Sequence, residues 1–332
     1  MNLNKINNWN VDLWQRLTVL RQRLPHAILL HGRAGIGKLA FAEALAASLL
    51  CESPQADGLA CGQCLSCGWL EQGNHPDFRL ITPEDRVETD ESGVEKSKKR
   101  NYILVDQIRS ISDMVGLSSH RQGMRVVLLH PAEALNLESA NALLKMLEEP
   151  PAGMIFLLVS HQPQRLLPTI RSRCHKISMA VPSKSEVKAW LTAQGVADPE
   201  FSLAQAGGAP LLALEMNESL RRDDIEGLAK QLAQAERIDP FLIASGWAKT
   251  GMVTTVTLLQ KWVYDMMSVR FYNVVRYFPA NTAALQKLGQ RADLRRLLDY
   301  QRQLAQARAQ AAHPLNAELQ LEALLLKYAQ IF

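Results

Sequence analysis

No uninterrupted apolar run in this sequence of 332 residues approaches the ~20 that a membrane-spanning helix needs, which argues against an integral membrane protein. The polar opening Met1-Asn2-Leu3-Asn4-Lys5 lacks the apolar centre of a secretory leader, so the sequence points to the cytosol. An excess of one charge is missing too. The 37 basic and 33 acidic residues leave a net +4, too little to announce nucleic acid by itself. There is no internal repeat, and no low-complexity tract beyond one charged stretch. Cysteine is scarce, at five residues, yet most of it crowds one window. With 47% hydrophobic and 21% charged residues, the composition is that of an ordinary globular protein, long enough for about two or three domains.

The chain is organised around Leu30-His31-Gly32-Arg33-Ala34-Gly35-Ile36-Gly37-Lys38-Leu39, a phosphate-binding loop of the G-x-x-x-x-G-K-[ST] type that departs from the pattern at its last position. Glycines at 32, 35 and 37 let the backbone turn tightly and aim N–H groups at a phosphate. Lys38 opens the following helix, where an ammonium and a positive helix end favour the β- and γ-phosphates. The next position should offer a hydroxyl to Mg²⁺, and Leu39 has none. Such a site could hold a nucleotide such as ATP or ADP but is badly equipped to split one. An ordinary glycine-rich strand-to-helix turn is the plainer reading. The flanks argue against it, because Ala27–Leu30 reads as a buried parallel strand and Leu39–Leu50 as a helix apolar almost all round.

Along the chain, Asn8–Leu24 has helical spacing of Leu13, Leu17, Leu20 and Leu24, ended by Pro25. Phe78–Ile81 is a short strand. Residues 84–101 are acidic and then basic with hardly an apolar residue, which predicts a mobile surface loop that could also touch DNA through its basic half. Asp106–Leu117 is helical, with Ile108, Ile111, Met114 and Val115 on one face and Asp106 placed to cap it. Arg125–His130 and Met154–Val159 are buried strands, separated by a helix that Glu148-Glu149-Pro150-Pro151 ends. This alternation predicts a parallel sheet wrapped by helices. After about Val181 strand signals vanish. Helices are expected over 182–194, 199–206, 209–220, 253–278, 292–312 and 317–332, the last capped by Asn316.

Cys51, Cys61, Cys64 and Cys67 follow a C-x₉-C-x₂-C-x₂-C spacing. Closely spaced thiolates suit tetrahedral Zn²⁺, and a reducing compartment argues against disulfides. Four cysteines leave no open position, so the metal is a structural staple. His75, in His75-Pro76-Asp77, reads as a turn residue and not as a ligand. DNA recognition by this module is disfavoured, since no His-x₃₋₅-His and no recognition helix follow.

Three more stretches carry a resemblance: Ala140–Pro151 (ANALLKMLEEPP), Thr169–Cys174 (TIRSRC), and the cysteine insertion directly after the loop helix. With the loop they are similar to the AAA+ subunits of the bacterial DNA polymerase III clamp loader. That family implies an α/β nucleotide-binding domain (1–181, with the zinc module at 51–67), a helical lid (182–222) and a helical collar (223–332) that holds five subunits in a ring. Within it, the chain resembles members whose own ATP site is dismantled. Active members end the strand of Val126–Leu129 in two acids that hold Mg²⁺ and orient water; His130 and Pro131 stand there. They present a lid arginine where Leu211 aligns. Each loss is expected to remove several kcal/mol of transition-state stabilisation. Ser160 could still offer a polar contact to a γ-phosphate.

One catalytic piece survives. The resemblance makes Arg173 an arginine finger acting in trans on the neighbour's ATP, against the plainer reading of a surface or salt-bridged arginine. Cys174 reads as a small buried residue, and the helix of Asn141 and Lys145 as packing. The implied partners are gamma/tau-type and delta subunits, with the sliding clamp and primed DNA reached through the assembly. Two other readings compete: an active P-loop ATPase of the gamma/tau type, and a zinc-dependent DNA-binding protein acting alone.

Overall fold

Apolar runs without alternation belong inside a sheet covered on both faces, and they lie there. The computed structural model describes residues 3–83, 86–89, 95–98, 102–116, 124–219, 221–311 and 316–332. These fall into two units, Met1–Glu186 and Val187–Phe332.

The first unit contains strands β1 (Ala27–His31), β2 (Phe78–Ile81), β3 (Arg86–Thr89), β4 (Glu95–Lys98), β5 (Arg125–Leu129), β6 (Met154–Ser160) and β7 (His175–Ser178). Five of them form one sheet in the order β2-β5-β6-β1-β7, every neighbour parallel. Its helices are α1 (Val11–Val19), α2 (Lys38–Leu50), α3 (Leu65–Glu71), α4 (Val105–Gly116), α5 (Leu137–Glu148) and α6 (Pro168–Arg173). Residues of β1 alternate between two cores: Ile28 and Leu30 pack with Phe41 and Leu45 of α2, whereas Ala27 and Leu29 pack with Ile108, Leu143 and Ile170 from α4, α5 and α6. The sheet is the middle layer of three. Its strand order, with the phosphate loop between β1 and α2, is the α/β arrangement the resemblance implied.

Three local expectations are corrected. The N-terminal helix is not continuous over 8–24: α1 ends at Val19, and 3₁₀ turns flank it at Asn8–Asn10 and Arg21–Arg23. Asp106 does not cap α4. The Gln107 side chain accepts from the Leu104 N–H at 3.0 Å, and Asp106 pairs outward with Arg109 at 3.4 Å. In the charged stretch, β3 and β4 pair antiparallel with Glu88 opposite Lys96, where an irregular loop was expected. An antiparallel ladder satisfies backbone groups without needing an apolar run. The rest of 84–101 lies outside the described residues, apart from these two strands.

From Lys184 onward, among the described residues, only helices follow: α7 (Lys184–Ala193), α8 (Pro199–Gln205), α9 (Pro210–Ser219), α10 (Arg222–Leu232), α11 (Pro240–Trp247), α12 (Met252–Tyr272), α13 (Thr282–Arg291), α14 (Leu294–Gln310) and α15 (Ala317–Ala329). The α/β-then-all-α class is as expected. α12 stops at Tyr272 and not at 278, because Asn273 takes a left-handed conformation (φ +54°) that ends a helix. Helices α7–α9 share a small core of Val187, Leu191, Val196, Leu203 and Ala213. A larger core around Trp262, Tyr300 and Tyr328 serves α10–α15. The Asn316 side chain accepts from the Glu318 and Leu319 N–H groups, the cap the sequence indicated. Among the described residues, no helix is long and apolar enough to cross a membrane.

Candidate functional site

The phosphate loop joins the end of β1 to the start of α2. Gly37 adopts φ +89° at the N-cap of α2, and a Cβ there would sit 2.1 Å from Asn7 Nδ2; only glycine fits. Gly32 is pressed against the Met179 carbonyl, 2.5 Å from where a Cβ would be, and Gly35 has φ +75°. The N-terminal segment lies against this loop. Trp9 Nε1 donates to the Ile36 carbonyl at 3.0 Å, and Asn10 Nδ2 reaches it at 3.4 Å.

Lys38 is only 2% exposed, and its Nζ donates to the Arg33 carbonyl. Burial pulls its pKa down to about 8, against the opposing charge of Glu133. Leu39 follows without a hydroxyl. At the end of β5 stand His130 and Pro131, joined by a cis peptide. Burial holds the His130 imidazole down to about 4, helped by the neighbouring His161 and Lys38, so it is neutral and offers no hard oxygen to Mg²⁺. Its ring meets that of His161 edge-on with centroids 5.2 Å apart. Burial, then Lys38, also lowers the His161 pKa.

Ser160, fully buried at the end of β6 and level with His31 of β1, has no hydrogen-bond partner for its Oγ among the described residues. Two members of this pocket escaped the sequence reading, Glu133 and His161. Glu133 Oε1 accepts from the backbone N–H groups of His161 and Gln162, at 2.9 and 3.1 Å. Nothing local in Ala132-Glu133-Ala134 signals this role. Leu211 lies in α9 of the second unit.

The cysteines converge. All four Sγ atoms lie within 4.8 Å of one another. The separations are 3.9 Å for Cys51–Cys64 and for Cys61–Cys67, and 3.8 Å for Cys51–Cys67. A tetrahedron of thiolates ~2.3 Å from a zinc ion has edges of about 3.8 Å, so the donor set fits that metal. Backbone N–H groups of Cys61, Cys64 and Cys67 point at the sulfurs of Cys51, Cys61 and Cys64, which favours thiolates. Hydrogen bonds led by the Gln63 N–H lower the Cys61 pKa to about 6, whereas burial raises those of Cys51 and Cys67.

His75 is not part of this set. Ser66 Oγ donates to the Leu50 carbonyl at 2.6 Å, so the His75 Nε2 at 2.8 Å must donate to Ser66. Its Nδ1 accepts from the Asp77 N–H at 3.0 Å. Both nitrogens are thus engaged in a buried clip between the module and the sheet.

Arg173 ends α6. Its side chain is 35% exposed, and Nη2 lies 2.5 Å from Glu148 Oε1, while Nη1 donates to the Thr169 carbonyl at 3.2 Å. The guanidinium is at the surface, not in the core. Next to it Cys174 is buried, and burial pushes its thiol up to about 11, so it is inert packing. On α5, Leu143 and Leu147 are buried while Asn141 and Lys145 are exposed, lining a groove with Arg109 and Glu149.

Residues 10–183 match the family described as DNA polymerase III, delta subunit. The chain is 37% identical to the DNA polymerase III subunit delta' of Pseudomonas aeruginosa, covering 97% of each sequence. It is 33% identical to the subunit of that name in Escherichia coli, over 63% of this chain and 59% of that one. It is also 36% identical to the tau subunit of Salmonella typhimurium over 46% of this chain and 21% of the relative. Among solved structures, a DNA polymerase III gamma subunit-related protein of Thermotoga maritima aligns with a TM-score of 0.47 at 17% identity, covering 96% and 99% of the two chains.

Proposed function

The chain belongs to the DNA polymerase III delta' family, and from that premise we propose that it is a clamp-loader subunit that hydrolyses no ATP itself and lends Arg173 to a neighbour. The contrast between two sites carries this reading. Where an active P-loop enzyme needs a hydroxyl and two acids for magnesium and water, this chain has Leu39, a neutral, half-buried His130 and Pro131. Lys38 is turned onto the Arg33 carbonyl of its own loop. Meanwhile the Arg173 guanidinium stands at the surface on a short helix, able to meet a phosphate on another molecule.

On this reading residues 1–181 form the AAA+ domain, 182–222 the lid and 223–332 the collar of a five-membered ring. Gamma/tau-type subunits adjoin the finger, delta lies on the other side, and the ring opens the sliding clamp for primed DNA in the cytoplasm. Cys51, Cys61, Cys64 and Cys67 would hold Zn²⁺, which supplies a cross-link between the end of α2 and α3 and no catalysis. The loop glycines and Lys38 then mark ancestry more than chemistry.

The test is MgATP turnover by the isolated chain, set beside the same chain mixed with gamma/tau and delta subunits. Turnover at background alone and stimulation in the mixture are expected. Hydrolysis by the chain alone, abolished in Lys38→Ala, would establish the gamma/tau-type ATPase reading instead.

A further inference from the structure

Four buried polar atoms crowd the end of the sheet beside the phosphate loop without hydrogen-bond partners among the described residues: His130 Nδ1, Glu133 Oε2, Ser160 Oγ and His161 Nδ1. An orphaned polar atom in a buried place is costly, and a cluster of them marks a pocket built for something. The groups are placed by backbone. His130 directly follows β5, Ser160 ends β6, and Glu133 is fastened across the gap by the His161 and Gln162 N–H groups. Those two bonds use Oε1 and leave Oε2 free.

Charge then decides what the pocket can accept. Its cation is Lys38, and Glu133 is the acid whose charge acts on Lys38, His130 and His161 alike. A working phosphate loop keeps its lysine for the β- and γ-phosphates. Here a carboxylate fixed by two backbone N–H groups acts on that lysine from within the chain, without touching it. A triphosphate held at Lys38 would lie near a buried carboxylate whose charge already acts on that lysine, and like charges at short range repel strongly where water is scarce.

We propose that Glu133 is a specificity-determining residue that fills the electrostatic place of a phosphate and closes this loop to nucleotides. The inference rests on reading the pocket as a dismantled ATP site, and goes beyond it. The lack of a hydroxyl at Leu39 and of acids at 130 and 131 removes magnesium and water handling, but would leave a lysine-headed anion site. Glu133 removes that site as well.

The experiment uses the full chain in magnesium-free buffer, with ADP and inorganic pyrophosphate as probes, followed by calorimetry. In Glu133→Gln the amide oxygen can still accept from His161 and Gln162, so the turn is kept and only the charge goes. Wild type is expected to show no binding at millimolar probe. Glu133→Gln should bind at least about tenfold tighter than that limit, with an affinity that falls as salt rises. Glu133→Ala, melted alongside to confirm folding, should do the same. Adding Lys38→Ala to either variant should abolish the gain.

Folded variants that bind neither probe would overturn the proposal and assign closure to the N-terminal segment against Gly37. Binding by wild type equal to that of the variants would overturn it as well. Neither result touches the finger reading, which stands or falls on turnover of MgATP by the wild-type chain.

Discussion

The contact between Arg173 and Glu148 bounds what the proposed finger could do before meeting a neighbour. Nη2 and Oε1 are 2.5 Å apart, but the side chains are 35% and 49% exposed, so water screens much of the attraction. Pairs of this kind contribute about 0.2–1 kcal/mol. Glu148 can therefore hold the guanidinium back by no more than about fivefold, while the Thr169 carbonyl still steers it from within α6. In a reconstituted ring, Glu148→Gln should leave ATPase between unchanged and about fivefold higher. Arg173→Ala should remove the ~10³-fold or larger contribution of a finger at the one site it serves.

If five places include two that do not hydrolyse, three sites remain and one borders Arg173. Steady-state ATPase then falls by roughly a third when sites fire independently, and far more when they fire in sequence. Arg173→Lys should recover little, because a point charge cannot reproduce a planar fork. Assembly is checked by gel filtration. A ring carrying Arg173→Ala that hydrolyses ATP at the wild-type rate would refute the finger. Glu148→Gln falling as far as Arg173→Ala would show the pair to be a structural staple.

Other outcomes can be measured on the chain alone. Purified chain should carry one zinc per molecule by elemental analysis, and Cys64→Ser should lose it together with the cobalt-thiolate absorption that Co²⁺ exchange produces. The pKa of His130 is held down to about 4 by burial first. The folded state therefore favours the neutral ring, and stability is complete above the ordinary value near 6.5 and lost as pH falls towards 4. After allowance for partial exposure the loss is on the order of 2 kcal/mol, and His130→Phe should flatten that part of a urea-melt pH profile. The Tyr328 hydroxyl accepts from Trp262 Nε1 at 2.9 Å and donates to the Leu232 carbonyl at 2.8 Å, all buried. Tyr328→Phe should cost about 2–3 kcal/mol in denaturant melts. Gly37→Ala, forced to φ +89° against Asn7, should lower stability by about 1–2 kcal/mol.

Much of this was legible because local chemistry and tertiary demand agree. The loop glycines, the unbroken apolar strands β1, β5 and β6, and the spacing of the cysteines each state their requirement within a few residues. β7 was missed for a physical reason. Of His175, Lys176, Ile177 and Ser178 only Ile177 is buried, since an edge strand needs few apolar residues. Its partner in register is β1, far away in sequence. Glu133 was invisible in the same way: an acid between two alanines gains meaning only when Oε1 meets the end of β6. The split of the first helix at Leu20 turns on a cap that carries no sequence signature, the Leu20 N–H reaching back to Leu17.

The Tyr328 hydroxyl bears on how the polypeptide is made. It ties α15 to α10, and the Asp293 N–H reaches the Ile331 carbonyl, so the second unit is closed by its latest-translated segment. A ribosome must extrude residues up to 331 before that core can zip shut, whereas the residues of the first unit end at Glu186. The α/β half can settle during synthesis. The core of α10–α15 must wait for α15.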